Sequence, residues 1–338
     1  MIKVHCFVSC VCELLKKRGI DHRPYYFGLW DADFFVDQQG VLTYHSDNVD
    51  HTFFKEWYET LYGIRLEEWY EPLESKSTNT QKLVQLVEEK RDDIHVMVML
   101  DLALLPEREN KFHHSPFPHY VMLEKTENPE KWFMFDPDFR WEGCMKKQDI
   151  LKAVQSPHVG GGYVFSGDHI RPPTDETVDA YFRTCMKEKT NPLTETVQRI
   201  VDMFWFDEDY LLNELGDALK QLPVLAIRKY AYEHAFAFFW FKLQFDETEF
   251  DNWCDEIEAL EKGYKIVQYR AIKLAKTKRQ ADYDQLCEQL KSQFEREMKI
   301  KQQLIHYFEK WAKERDQMVN KVKGGDDERI NLYDFISK

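Results

Sequence analysis

The chain has 338 residues, 43% of them hydrophobic, with 24 Phe, 17 Tyr and 9 Trp, enough apolar material for two cored domains and too much for disorder. Its 46 basic and 60 acidic side chains leave a formal charge of −14; this argues against a nucleic-acid partner and suits a cationic ligand, although solubility alone accounts for such a charge. No run approaches the roughly 18 apolar residues of a membrane span, and MIKVHCFVSCVCELLKK has no small-residue cleavage site, so no membrane, a cytoplasmic location and reduced cysteines are expected.

In chain order, VHCFVSCVCELLKKRGI has apolar positions at three- and four-residue spacing and predicts a helix ending at Gly19. PYYFGLWDADFFV reads as a loop with aromatic anchors, FFKEWYETLYGI as a short amphipathic helix closed by Gly63, and TQKLVQLVEEK as another helix. VMVMLDL, HYVMLEK, KWFMFDP and, after Gly160, Gly161 and Gly162, YVFS read as strands. IRPPTDETVD is a boundary that runs into a helix start at Thr174. Beyond it LTETVQRIVDMF, DYLLNELGDALKQ, PVLAIRKYAYEHAFAFFWFKLQF, ETEFDNWCDEIEALEKGYKIVQYRAIKLAK and a charged segment from Asp282 to about Val322 all carry helical periodicity, and the stretch after Gly324 is expected to be loosely held. The expected fold is α+β, with an N-terminal catalytic domain over 1–170 and an all-helical domain over 171–338.

Three of the seven cysteines, Cys6, Cys10 and Cys12, fall within seven residues. They form no Cys-x-x-Cys pair and no such pair follows, so a zinc site is not expected. Cys10 and Cys12 read as small core hydrophobes. Cys6 lies where a loop turns into the first helix, and there the free N–H groups and the dipole favour a thiolate. Papain-like folds place their nucleophile in this way.

Among twelve histidines, His119 stands out by its hairpin. If TENP is a four-residue loop, Lys125 pairs with Glu130 and His119 comes opposite Asp136, side by side on one face. A carboxylate so placed fixes an imidazole tautomer and stabilises its charged form. His113 and His114 are rival bases without a paired acid. The order Cys6, His119, Asp136 is the papain-like order.

HCFVSCVCELLKKRGI followed by FGLWDADFFV resembles the start of the butirosin-H-like family. More closely, MIKVHCFVSC, YYFGLWDADF, LLPERENKFHHSPFPHY, FDPDFRWEG, GGGY and PVLAIRKYAYEHAFA resemble the petrobactin-biosynthesis acyltransferase family over most of the chain, thinning after about residue 280. The resemblance implies a papain-like core and a role in siderophore assembly. An aryl carrier protein would bring a 3,4-dihydroxybenzoyl thioester on its phosphopantetheine arm, with no other cofactor and no metal, and the acyl group would pass to a primary amine of spermidine or citryl-spermidine. Cys6, His119 and Asp136 then take the places of nucleophile, base and orienter. No papain-style glutamine stands six residues before Cys6, so backbone N–H groups at the helix start, with His5 or Ser9, are the candidate oxyanion donors.

A polyamine acceptor needs acids to hold its distal ammonium groups. Asp138 is the leading candidate, followed by Asp31, Asp33, Glu142, Glu107 and Glu109; Trp30, Tyr25 and Tyr26 could stack on the catechol ring. Arg228, Lys229, Tyr232 and His234, or Lys273, Lys276, Lys278 and Arg279, are candidate contacts to the carrier. A cysteine peptidase or amidase would use the same triad with water as acceptor. A non-catalytic helical interaction protein would leave Cys6 as an unreactive core thiol.

Overall fold

A computed structural model describes residues 5–44, 51–108 and 116–324, with side chains to residue 317. The order of elements is helix α1 (Cys6–Lys17), a 3-10 segment (Arg23–Gly28), strands β1 (Phe35–Val36) and β2 (Leu42–Thr43), α2 (Thr52–Tyr62), β3 (Glu67–Glu68), α3 (Lys76–Glu89), β4 (Ile94–Asp101), β5 (Pro118–Lys125), β6 (Lys131–Asp136), β7 (Trp141–Lys146), α4 (Lys147–Val154) and β8 (Gly162–Ser166). Helices follow: α5 (Asp175–Cys185), α6 (Pro192–Phe206), the short α7 (Leu215–Ala218) and α8 (Leu222–Ala226), α9 (Ala231–Leu243), α10 (Glu247–Thr277) and α11 (Gln280–Gly324). The architecture is mixed helix and sheet followed by a helical region, as expected. No helix among the described residues is long and apolar enough to cross a membrane.

The sheet has six strands in the order β3-β8-β4-β5-β6-β7, and every neighbouring pair is antiparallel. Alternation along the central strands divides two cores. Val96, Val98, Leu100, Val121 and Leu123 face one core with Leu83 and Val87 of α3 and Ile150 of α4. Met97, Met99, Tyr120 and Met122 face the other, which continues through α1 into the helical region as far as Trp311. That second core is shared by both halves of the chain.

Helix α1 is buried at every position from Phe7 to Cys12. Lys16 and Lys17 in its last turn match the dipole. Gly19, at φ +67°, ends it, with the Ile20 N–H returning to Leu15 O at 2.9 Å. Gly63, at φ +73°, closes α2 as expected, and Thr174 caps α5 by accepting from the Thr177 N–H at 3.3 Å. The single helix expected over PVLAIRKYAYEHAFAFFWFKLQF is instead α8, a 3-10 turn (Ile227–Tyr230) and α9. DYLLNELGDALKQ likewise holds only a 3-10 turn and the four-residue α7.

The β5–β6 hairpin differs from the expected register. Lys125 pairs with Trp132, not Glu130, so the connection is two residues longer. Asn128 explains the extra length: its side chain accepts from the Glu130 N–H at 2.9 Å and its carbonyl from the Lys131 N–H at 3.0 Å, a local turn that postpones strand pairing. A shift of two keeps every side chain on its face, so His119 and Asp136 remain on the same side as diagonal neighbours.

Candidate active site

His5 is the N-cap of α1 and Cys6 its first helical residue. The Ser9 N–H makes the first intrahelical bond, to His5 O at 2.9 Å, and no side chain of the N-cap residue caps the turn. The N–H groups of Cys6, Phe7 and Val8 thus lie at the positive end of the helix, beside the Cys6 thiol. One turn further on, the Cys10 sulfur lies 3.5 Å from Tyr120 O, which puts Cys6 over the start of β5. Burial pushes the Cys10 thiol well above its ordinary range and that of Cys12 up to about 12, leaving both as neutral core side chains.

His119 is 4% exposed near the start of β5, and its Nε2 donates to Asp136 Oδ1 at 2.8 Å. It shares its strand face with Val121 and Leu123, whereas α1 covers the opposite face, so thiol and imidazole meet at the strand's open end. Cys6 is near enough to the imidazole to act on its charge; with Nε2 committed to Asp136, the nitrogen left to face the sulfur is Nδ1. Burial alone would depress the His119 pKa. The charge of Asp136, the nearby Cys6 and the bond to Asp136 outweigh it and lift the value to about 10, so the ring is an imidazolium at neutral pH.

Asp136 is fully buried at the end of β6. Its Oδ1 also accepts from the Phe139 N–H at 3.2 Å, and its Oδ2 pairs with Arg108 Nη2 at 2.8 Å. Arg108 follows β4 and is itself buried, its guanidinium 4.7 Å from the Trp141 ring centroid and 5.4 Å from that of Phe139. Arg108 is not among the residues that the sequence suggests for the site, which at this point are its neighbours Glu107 and Glu109.

Asp138, two residues past Asp136, accepts from Ser9 Oγ at 2.9 Å. It ties the β6–β7 turn to α1, and it occupies the Ser9 hydroxyl that was a candidate oxyanion donor. The aromatic candidates are core residues. Tyr25 is fully buried and donates to Phe54 O at 2.8 Å; Tyr26, 2% exposed, stacks on His234 with centroids 3.7 Å apart; Trp30, also 2% exposed, stacks on Tyr232 at 4.9 Å. Asp31 is buried between Lys229 at 3.1 Å and Lys301 at 2.6 Å. Asp33 is exposed and its carbonyl accepts from Arg228 Nη1 at 2.8 Å. Glu107 and Glu142 are exposed, the latter on β7. Glu109, His113 and His114 lie outside the described residues.

The first group of carrier contacts needs correction. Arg228, Lys229, Tyr232 and His234 are all buried. Arg228 is spent on the carbonyls of Ala32, Asp33 and Tyr44, and Lys229 on Trp30 O, Asp31 and Glu297. They join the helical region to the loop after α1. In the second group Lys276, Lys278 and Arg279 are exposed, and Lys273 and Arg279 pair with Asp282.

The whole arrangement is a thiol at a helix N-terminus, an imidazolium beside it and a carboxylate behind, the set required for nucleophilic attack on a carbonyl. Residues 1–170 match the model of the DUF6005 N-terminal domain, and residues 176–324 that of the DUF6005 C-terminal domain. The chain belongs to the DUF6005 family. It is also similar to petrobactin synthase of Bacillus anthracis, with 49% identity over 312 residues, covering 92% of this chain and 95% of the relative. The family's two domain models therefore cover the sheet with its α1 cysteine and the helices that hold the loop following it.

Proposed function

We propose that this DUF6005 chain is a cytoplasmic petrobactin-forming acyltransferase with a papain-like N-terminal domain. It condenses a carrier-bound 3,4-dihydroxybenzoyl thioester with a primary amine of spermidine or citryl-spermidine. The observation that carries the reading is the buried His119–Asp136 pair beside Cys6, the first residue of α1. The similarity to a protein named petrobactin synthase supports the choice of pathway.

In the first half-reaction the Cys6 thiolate attacks the thioester carbonyl. The oxyanion is stabilised by backbone N–H groups of the first turn of α1. Collapse breaks the bond to the carrier's sulfur, which leaves as a thiol with the proton of His119. The acyl-enzyme then has neither thiolate nor imidazolium, and the neutral imidazole is free to accept a proton in the second half. A neutral amine attacks, Nδ1 of His119 takes its proton, and the amide departs as the thiolate–imidazolium pair re-forms. Asp136 keeps Nε2 occupied throughout.

The test is intact-protein mass spectrometry after mixing the protein with 3,4-dihydroxybenzoyl-loaded carrier without amine, beside Cys6→Ser. The expected result is a dihydroxybenzoyl mass gain on the native protein, labile to hydroxylamine as a thioester and cleared by spermidine as amide appears. No gain while amide still forms would remove Cys6 as nucleophile. Neither gain nor amide would reject the acyltransferase reading.

A further inference from the structure

His119 and Asp136 satisfy a dyad between them, yet a buried guanidinium has been added behind the carboxylate. Desolvating an arginine is costly unless its charge is used. Arg108 Nη2 lies 2.8 Å from Asp136 Oδ2, while His119 Nε2 lies 2.8 Å from Oδ1, so the two cations hold opposite oxygens of one carboxylate. The guanidinium is fixed in orientation by the Trp141 and Phe139 faces, and the Phe139 ring also packs on His119 with centroids 4.9 Å apart. Arg108 Nη1 is buried with no hydrogen-bond partner among the described residues, where the guanidinium's ion pair is with Asp136. From sulfur outward the groups form a row of alternating charge: Cys6, His119, Asp136, Arg108.

We infer that Arg108 is a positioning residue of the triad, a counter-charge that draws Asp136 away from His119 enough for the imidazole to give up and take back its proton. The physical logic is competitive. A carboxylate with one cationic partner holds that partner's proton as firmly as possible. With a second, permanently charged partner on its other oxygen, it holds the first less firmly, because the two cations repel across it. Arg108 therefore limits the stabilisation of the imidazolium while keeping Asp136 ionised and aimed. Other charged groups lie close by: Asp138 on Ser9, and Asp101 at the end of β4, whose Oδ1 accepts from the Ala103 and Phe117 N–H groups and Oδ2 from Ser156 Oγ. Both are carboxyl groups, and neither can take the place of a guanidinium.

This inference rests on the reading of Cys6 and His119 proposed above, and its test is separable from it. His119 would be titrated by NMR of its ring carbon in the native protein, Arg108→Gln and Arg108→Lys, with the pH profile of amide formation recorded alongside. Arg108→Gln should raise the His119 pKa by on the order of one pH unit and move the rising limb of the acyl-transfer profile to higher pH by as much. Arg108→Lys, keeping the charge, should restore most of both. A folded Arg108→Gln protein with native His119 titration would overturn the proposal. Should that variant fail to fold, the native protein gives the second reading: alkylating Cys6 removes the anion at the far end of the row, and the Arg108 guanidinium NMR signals should shift with it. Signals that do not move would overturn the coupling. Failure of the acyltransferase reading shows instead as absence of both acyl-enzyme and amide, whichever way His119 titrates.

Discussion

Replacing Asp31 by Asn tests whether this loop acid supports the fold or binds a cationic substrate. Its carboxylate is 3% exposed and bonds Lys229 at 3.1 Å and Lys301 at 2.6 Å. Lys229 also donates to Trp30 O at 2.6 Å and to Glu297 Oε1 at 2.5 Å, and Lys301 to Thr190 O at 2.6 Å. Glu297 in turn accepts from the hydroxyls of Tyr232 and Tyr264. Two buried ammoniums thus meet two buried carboxylates in a neutral set. Both lysines lower the Asp31 pKa against the upward pull of burial, so the acid is charged in the fold.

Asp31→Asn leaves one uncompensated positive charge in that interior, a change that costs about 3–5 kcal/mol when a buried pair is broken. At about 2.1 cal/mol/K of unfolding entropy per residue, the 338 residues give about 0.7 kcal/mol/K, so Tm should fall by roughly 4–7 °C. Calorimetry measures it. Lys301→Met alone should destabilise comparably by leaving a surplus anion, and the double variant, neutral again, should lose markedly less than the sum. Acyl transfer by the folded fraction of Asp31→Asn should show a native KM for spermidine. An Asp31→Asn protein with native Tm and a raised KM would refute the argument and return Asp31 to the substrate site.

Gly28 is the glycine of the FGLW stretch, and an added Cβ would lie 2.3 Å from the Tyr181 hydroxyl and 3.0 Å from ring carbons of Phe53 and Phe54. Gly28→Ala should cost about 1–3 kcal/mol by overpacking, read from urea midpoints; an unchanged midpoint would mean the three rings yield freely. His119 makes stability depend on pH. Its pKa rises from an ordinary 6.5 to about 10 in the fold, so its contribution is complete below the ordinary value and is lost as pH climbs through about 10. The unfolding free energy should decline from pH 7 to 10 more steeply in the native protein than in His119→Gln, and equal slopes would show that His119 is not held as an imidazolium.

The sequence carried β4, β5, β6 and β8 and the helical second half because their periodicities are local, but not the two-residue strands β1, β2 and β3. It also carried the His119–Asp136 contact in spite of a wrong register, since an error of two residues preserves the face and an error of one would not have. It did not carry β7, whose six residues WEGCMK include a glycine and leave three positions exposed. The fate of the acids was beyond local reading: whether Asp31 faces substrate or core depends on Lys301, 270 residues away. For the same reason Arg228 and Lys229 looked like a basic helix surface and proved to be buried fasteners of the loop after α1. Arg108 is masked in the sequence by the two glutamates that flank it, which are themselves candidate amine-binding groups.

These fasteners bear on whether the N-terminal 170 residues make an enzyme by themselves. The core under α1 does not close within that segment. Phe27 packs against Phe182, Phe238 and Phe239, Tyr26 against His234, Trp30 against Tyr232, and Asp31 against two lysines, all supplied from beyond residue 180. Cutting at 170 would expose this aromatic face and leave the Asp31 carboxylate without either cation. At about 25 cal/mol per Å² of apolar surface, uncovering several aromatic side chains of 150–250 Å² each forfeits more than the roughly 5–15 kcal/mol by which a domain is stable. The excised segment should therefore aggregate, or bind a hydrophobic dye and unfold without cooperativity, and Cys6 should show no enhanced alkylation over a free thiol. A soluble 1–170 fragment with a cooperative transition and native Cys6 reactivity would show that the helical half only covers the site. The opposite outcome would make that half a structural part of the catalytic machinery, through the loop that both α1 and α9 hold in place.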